Sequence, residues 1–82
     1  LSLCAMCVPH ARFEAVAELV NAFPEVAHNY QRDHAMNMWF VLATETPAAL
    51  LSTIGRIEVQ TGMRVFNLPR LEEFYVGLHF EV

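Results

Sequence analysis

The spacing of apolar residues switches between the two-residue period of a strand and the roughly 3.6-residue period of a helix, in the order strand, helix, strand, strand, helix, strand. All of the periodic stretches share 82 residues, so one core must serve them all. Residues 1–8 form a continuous apolar run closed by Pro9, as expected of a strand buried on both faces. Over residues 11–23, Phe13, Val16, Ala17, Val20 and Phe23 recur at three- and four-residue steps, with Glu14, Glu18 and Asn21 on the other side. Pro24 stops that amphipathic helix, because its ring lacks an N–H and disfavours a helical residue before it.

Residues 26–32 and 36–43 are two extended stretches parted only by Asp33, His34 and Ala35, a gap short enough for a hairpin. The second reads MNMWFVLA and is apolar enough to be a central strand. Thr46 then offers an N-cap and Pro47 fits the first helical position. Leu50, Leu51, Ile54 and Ile57 follow on one stripe, and Gly62 supplies a C-terminal stop. Residues 63–68 make a short strand before Pro69. From 74 to 82, Phe74, Val76, Leu78, Phe80 and Val82 alternate with Tyr75, Gly77, His79 and Glu81, and Glu72-Glu73 reads as a solvated strand entrance. The order predicts an α+β, ferredoxin-like (split βαβ) fold, an antiparallel sheet with two helices on one face. Its other face needs cover, and a homo- or hetero-oligomer through the sheet is the expected way to provide it.

Composition narrows the function. Hydrophobic residues make up 55% of the chain and charged ones 17%, apolar for so small a domain, so part of that surface is expected to meet a partner or a ligand. The net charge is −4 and all five basic residues are arginine, which disfavours binding to phosphate backbones and suits planar capture of carboxylates. Every apolar run is interrupted well before the roughly 18 to 20 residues of a membrane span, and no signal peptide is visible, so a cytoplasmic protein is expected. The absence of an initial Met suggests sequence lost upstream of a single domain spanning 1–82.

Cys4 and Cys7 spell C-x-x-C, but within a strand residues three apart point to opposite faces. Two buried or half-buried, unlinked thiols are expected here in preference to a redox or zinc site.

Polar chemistry is concentrated between residues 28 and 39. If residues 26–32 are extended, His28, Tyr30 and Arg32 share one face and span about 13 Å, a row of imidazole, phenol and guanidinium sized for a flat ligand bearing acids. Each alone would pass for an amphipathic packing residue with a solvated head. Beside His34 and Asn37, the three stand as candidates for chemistry as readily as for packing. Met36, Met38, Trp39 and Phe40 offer an apolar wall or strand core. Trp39 falls on the face opposite Met38 and Phe40.

The run HNYQRDHAMNMWFVL from His28 onward resembles the HNYxRxHxxNxWF signature of siroheme decarboxylases, the AsnC/Lrp-like proteins of the alternative haem and d-type haem pathways. The ending LPRLEEFYVGLHFEV from Leu68 is similar to the closing LPxxxxYHIxLxF segment of that family, except that Phe74-Tyr75 replaces Tyr-His and so lacks its histidine. The resemblance covers nearly the whole chain. It implies a RAM/Lrp effector-domain type of fold, two copies per active unit, often as distinct subunits, and an upstream helix-turn-helix segment that does not precede Leu1 here.

It implies further that siroheme is the substrate and loses acetate carboxyl groups as CO2, with no cofactor of the protein's own. Arg32, Asn37 and Trp39 are then the expected substrate-binding residues, with Arg32 pairing a propionate or acetate. His28, Tyr30 and His34 are the expected catalytic residues around the departing acetate, and His34 or His28 is a candidate ligand of the siroheme iron. The competing expectation is a ligand-binding and oligomerisation domain of an Lrp/AsnC-family transcriptional regulator, sensing a small amino acid or a haem-like ligand. In neither case does this domain itself contact nucleic acid or membrane. A third expectation is a non-catalytic partner subunit that completes a heteromer.

Overall fold

A computed structural model of the chain describes residues 1–68. The elements are β1 (Ser2–Met6), a 3-10 turn (His10–Arg12), α1 (Phe13–Asn21), β2 (Val26–Gln31), β3 (Met38–Leu42), α2 (Pro47–Thr61) and β4 (Phe66–Leu68). The strand expected over 74–82 and the Glu72-Glu73 pair lie outside the described residues.

The strands form one antiparallel sheet in the order β2-β3-β1-β4. β3 sits between β1 and β2, which is the split βαβ arrangement expected from the element order. The register of the central pair sets the two faces. Met6 opposes Met38, Cys4 opposes Phe40 and Ser2 opposes Leu42, while Ala5 opposes Trp39 and Leu3 opposes Val41 between them.

The first set packs under the helices. Cys4, Met6, Met38, Phe40 and Leu42 join Val16 and Val20 of α1 and Ile54 and Ile57 of α2 in the main core. Phe40 is fully buried there, and truncating such a residue to Ala costs about 3–5 kcal/mol. The second set, Leu3, Ala5 and Trp39, forms a separate buried cluster with Met36, Val41 and Leu68 packed on it.

Local chemistry fixes the helix ends. The Ala49 N–H donates to Thr46 Oγ1 at 3.0 Å with Pro47 beside the cap, and Gly62 ends α2 at φ 69°, a left-handed conformation that favours glycine. Arg12 reaches from the start of α1 to the carbonyl of Thr61 at the end of α2, 3.2 Å away. Its charge there also meets the negative end of the α2 dipole.

Three expectations change. The first helix opens with a 3-10 turn at residues 10–12 and becomes α-helical only at Phe13. Leu51 is 64% exposed and does not belong to the buried stripe of α2. Thr53 and Thr61 take its place, and their hydroxyls are satisfied within the helix by donating to Ala49 O and Ile57 O, each at 2.8 Å. The hairpin strands are also shorter than expected, so residues 32–37 form its loop and β4 begins at Phe66 rather than at 63.

Glu25 accepts from Arg56 Nη2 at 2.7 Å, and that hydrogen bond, with others from the backbone and Thr53, holds the Glu25 carboxyl below the usual carboxylate range. A carboxyl depressed on folding contributes stability above its unfolded pKa and loses it as the pH falls through the folded value. The stability gap between the parent and Glu25→Gln, measured by denaturant melts, is therefore expected to be present at neutral pH and to close in acid. A gap that widens in acid would reverse the assigned sign.

Cys4 is fully buried and Cys7 exposed, and neither is in a disulfide. Burial pushes the Cys4 thiol up to about 12, so at pH 8 roughly one molecule in ten thousand carries the thiolate. Thiol titration should find one group reacting at once and a second only after denaturant is added. Two equally fast thiols, or none, would contradict this arrangement.

Candidate functional site

The edge strand β2 carries the site, and a bulge sets its side-chain parity. Val26 pairs with Leu42 and His28 with Val41, so Ala27 is an extra residue without an opposite number. Strict alternation would have sent Val26 and His28 to the same side. The bulge lets Val26 pack into the main core while His28 and Tyr30 stand on the other face, with Val41 and Trp39 as their partners.

Two cross-strand rows therefore run over the face away from the helices: Tyr30, Trp39, Ala5, Phe66 and, beside it, His28, Val41, Leu3, Leu68. The expected row of His28, Tyr30 and Arg32 is brought together here. The His28 and Tyr30 rings stack with centroids 6.0 Å apart and planes 19° from parallel. Arg32 places its guanidinium carbon 5.1 Å from the centre of the Trp39 ring. Trp39 is buried and its indole N–H donates to the Met36 carbonyl, so the arene under Arg32 is held in place. Met38 and Phe40 lie in the main core and take no part.

The loop is organised by Asn37. Its amide group donates to the Val8 carbonyl at 2.8 Å and its carbonyl oxygen accepts from the Val8 N–H at 2.9 Å, as a neighbouring strand would. Its backbone carbonyl also accepts from the Arg32 N–H at 2.9 Å and closes the loop. Within the loop, the His34 N–H donates to Arg32 O at 3.0 Å, and the Met36 N–H donates to His34 Nδ1 at 3.0 Å. His34 thus stands in the loop rather than on the strand face.

Sequence reasoning passed over a second guanidinium on an arene. Arg64 lies over Phe66, 5.3 Å from the ring centre, at the far end of the row that begins with Tyr30. The signal was present, since residues two apart before an extended stretch share a face. A cavity of about 430 Å³ lies elsewhere, between Glu25, Thr44, Thr46, Ser52, Thr53 and Arg56. None of the expected site residues lines it. Among the described residues no group of three or more His, Cys, Asp or Glu could hold a metal ion, and no helix is long and apolar enough to cross a membrane.

Comparison with known proteins gives a consistent picture. The family profile of the AsnC-like ligand binding domain matches residues 2–75. The chain is 60% identical over 81 residues to the siroheme decarboxylase NirG subunit of Stutzerimonas stutzeri, a match covering 99% of this chain and 55% of that protein. It is 46% identical over 79 residues to the siroheme decarboxylase NirD subunit of the same organism, covering 96% of this chain and 52% of that protein. The chain thus spans about half the length of these curated relatives. Among solved structures it is similar to the siroheme decarboxylase NirDL in co-complex with an iron-uroporphyrin III analogue. That match has a TM-score of 0.70 and 35% identity, and covers 82% of this chain and 23% of the other.

Asn37→Ala removes both partners of the partly buried Val8 backbone, which is expected to cost about 1–3 kcal/mol. At this size each kcal/mol moves Tm by about 4–8 °C, so thermal melts should show a drop of several degrees. An unchanged Tm would mean that Asn37 does not secure the loop.

Proposed function

We propose, since this chain belongs to the AsnC-like ligand-binding domain family, that it is the tetrapyrrole-binding part of a siroheme decarboxylase subunit and removes acetate carboxyl groups of siroheme as CO2. The observation that carries this reading is the convergence of Arg32, stacked on buried Trp39, with the stacked His28–Tyr30 pair on one sheet face. Its likeness to the NirG and NirD subunits supports the substrate class. The likeness to NirDL, a structure holding an iron-uroporphyrin III analogue, supports it independently.

The chemistry asks little beyond placement and a proton. Arg32 pairs with a propionate or acetate of the macrocycle, and a guanidinium already lying on an arene is partly shielded from water, which strengthens a charge-assisted bond. Trp39 is the wall beneath it. Cleavage of the bond between the acetate methylene and its carboxylate releases CO2 and leaves the electron pair on the methylene carbon, which then takes a proton to become a methyl group. His28, Tyr30 and His34 are the groups assigned to orient the departing carboxylate or supply that proton. Asn37, expected to bind substrate, serves the site by fixing the loop that carries Arg32 and His34. Iron arrives as part of the substrate, and the protein needs no cofactor of its own.

The partner is a related subunit covering the sheet face, as the naming of the relatives as subunits suggests, and the reaction belongs in the cytoplasm. The domain itself makes no contact with nucleic acid, in keeping with a net charge of −4.

The test is anaerobic incubation of the full-length protein and its partner subunit with siroheme, followed by mass analysis for loss of CO2. Arg32→Ala is expected to weaken siroheme binding by about ten- to a hundredfold, the equivalent of about 1.5–3 kcal/mol. If siroheme neither binds nor changes mass, while a small amino acid binds and shifts the oligomeric state, the decarboxylase reading gives way to an effector domain.

A further inference from the structure

We infer that His34 binds a carboxylate of the tetrapyrrole as a fixed hydrogen-bond donor through Nε2, and that it is neither a ligand of the iron nor the source of the proton. The inference rests on the reading given under Proposed function and assigns one of its residues a single role. It begins from the Met36 N–H, which donates to His34 Nδ1 at 3.0 Å.

A backbone N–H is always a donor, so Nδ1 must present its lone pair to it, and the neutral ring then carries its proton on Nε2. The backbone on either side of the ring is tied down. The His34 N–H is held by Arg32 O at 3.0 Å, the Arg32 N–H by Asn37 O at 2.9 Å, and Asn37 itself is tied to Val8 through both ends of its amide. His34 is exposed, and among the described residues its Nε2 has no partner.

Each role that a histidine could play here needs a different proton arrangement. Ligating iron through Nε2 requires a bare lone pair there, which puts the proton on Nδ1 and sets two donors against each other at Met36. Delivering a proton as an imidazolium also requires a proton on Nδ1, with the same conflict. Delivering one from the neutral ring would leave an imidazolate, and a phenol such as that of Tyr30 is the stronger neutral acid and gives its proton in preference. Donating Nε2–H to a carboxylate keeps every hydrogen bond of the loop and gains a charge-assisted one. The departing acetate or a neighbouring propionate is the group that fits. When the bond to the carboxylate breaks and CO2 leaves, the electron pair on the methylene carbon takes its proton from the His28–Tyr30 pair.

Two measurements on the full-length protein with its partner subunit decide the matter. In the ligand-free protein, long-range proton–nitrogen correlation spectra of the ¹⁵N-labelled histidines should show the neutral form of His34 with a bare Nδ1 and a protonated Nε2, the signal being assigned by its loss in His34→Gln. The opposite tautomer would overturn the inference.

The second measurement compares His34→Gln, which keeps an N–H donor at the place of Nε2, with His34→Asn, which keeps an acceptor for the Met36 N–H but does not reach as far. His34→Gln is expected to bind siroheme less tightly than the parent but more tightly than His34→Asn, with an unshifted Soret band and a turnover that is lowered but still measurable. His34→Asn is expected to bind about tenfold more weakly. Abolished turnover of bound siroheme in His34→Gln would make His34 the proton source, and a shifted Soret band would make it the iron ligand. Either result overturns the inference.

If the parent binds siroheme without decarboxylating it, the proposed function fails alone, and the binding of the two variants still decides the role of His34. If the parent does not bind siroheme at all, both fail.

Discussion

Everything in this fold hangs on the pairing of β1 with β3. Both strands lie inside the sheet and are buried on both faces, so each must be apolar at nearly every position, and each register pair commits one residue couple to one face. Met6 with Met38 and Cys4 with Phe40 demand cover from the helices, and α1 and α2 supply it with Val16, Val20, Ile54 and Ile57. Leu3, Ala5, Val41 and Trp39 are left on the other side. The site exists because that second face is apolar enough to bury an indole and still has an edge strand, β2, on which polar residues can stand. A slip of one residue between β1 and β3 would exchange the two faces and put Trp39 under the helices.

The edge strand solves a problem that the central pair creates. β2 must give Val26 to the main core near its start and yet present His28 and Tyr30 to the opposite side, and regular alternation cannot do both. The extra residue Ala27 changes parity once, between the structural and the chemical half of the strand. At the other end of β2, Asn37 acts as a strand in miniature, pairing with Val8 where β3 has not yet begun. The segment that carries the chemistry is thus bounded by a bulge on one side and a side-chain substitute for backbone pairing on the other. Both devices hold the backbone in place without a regular ladder.

Much of this was legible in the sequence because its signals are local and strong. Pro24 and Pro47, the Thr46 cap and Gly62 fix where helices begin and end, and the run from Met38 to Leu42 can scarcely be anything but a buried strand. The row His28, Tyr30, Arg32 follows from alternation alone, since it lies wholly beyond the bulge. The bulge itself was not legible, because Ala27 carries no glycine or proline signal and only the register with β3 exposes it. Nor could periodicity choose between Leu51 and Thr53 on α2. A threonine that returns its hydroxyl to the helix carbonyl behaves as a small apolar residue, and the crossing of α2 over the sheet brings that side down. The task of Asn37 depended on a contact with Val8, 29 residues away, that no window along the chain contains.

The two places where polar groups gather differ in what they leave available. One pocket lies against α2, where the guanidinium of Arg56 is already taken by Glu25 and the lining is completed by Glu45, three threonines, a serine and two alanines. The hairpin face carries a guanidinium on a fixed arene, two stacked rings, and an exposed imidazole with one nitrogen accepting from the backbone. An effector-sensing domain needs a pocket that discriminates a small molecule by enclosing it. A decarboxylase acting on a large, flat, acid-rimmed substrate instead needs a surface that grips the rim and a second subunit that closes over it. Polar and aromatic groups on an open sheet face suit the decarboxylase reading proposed above, and the fold alone, shared by both kinds of protein, does not decide between them.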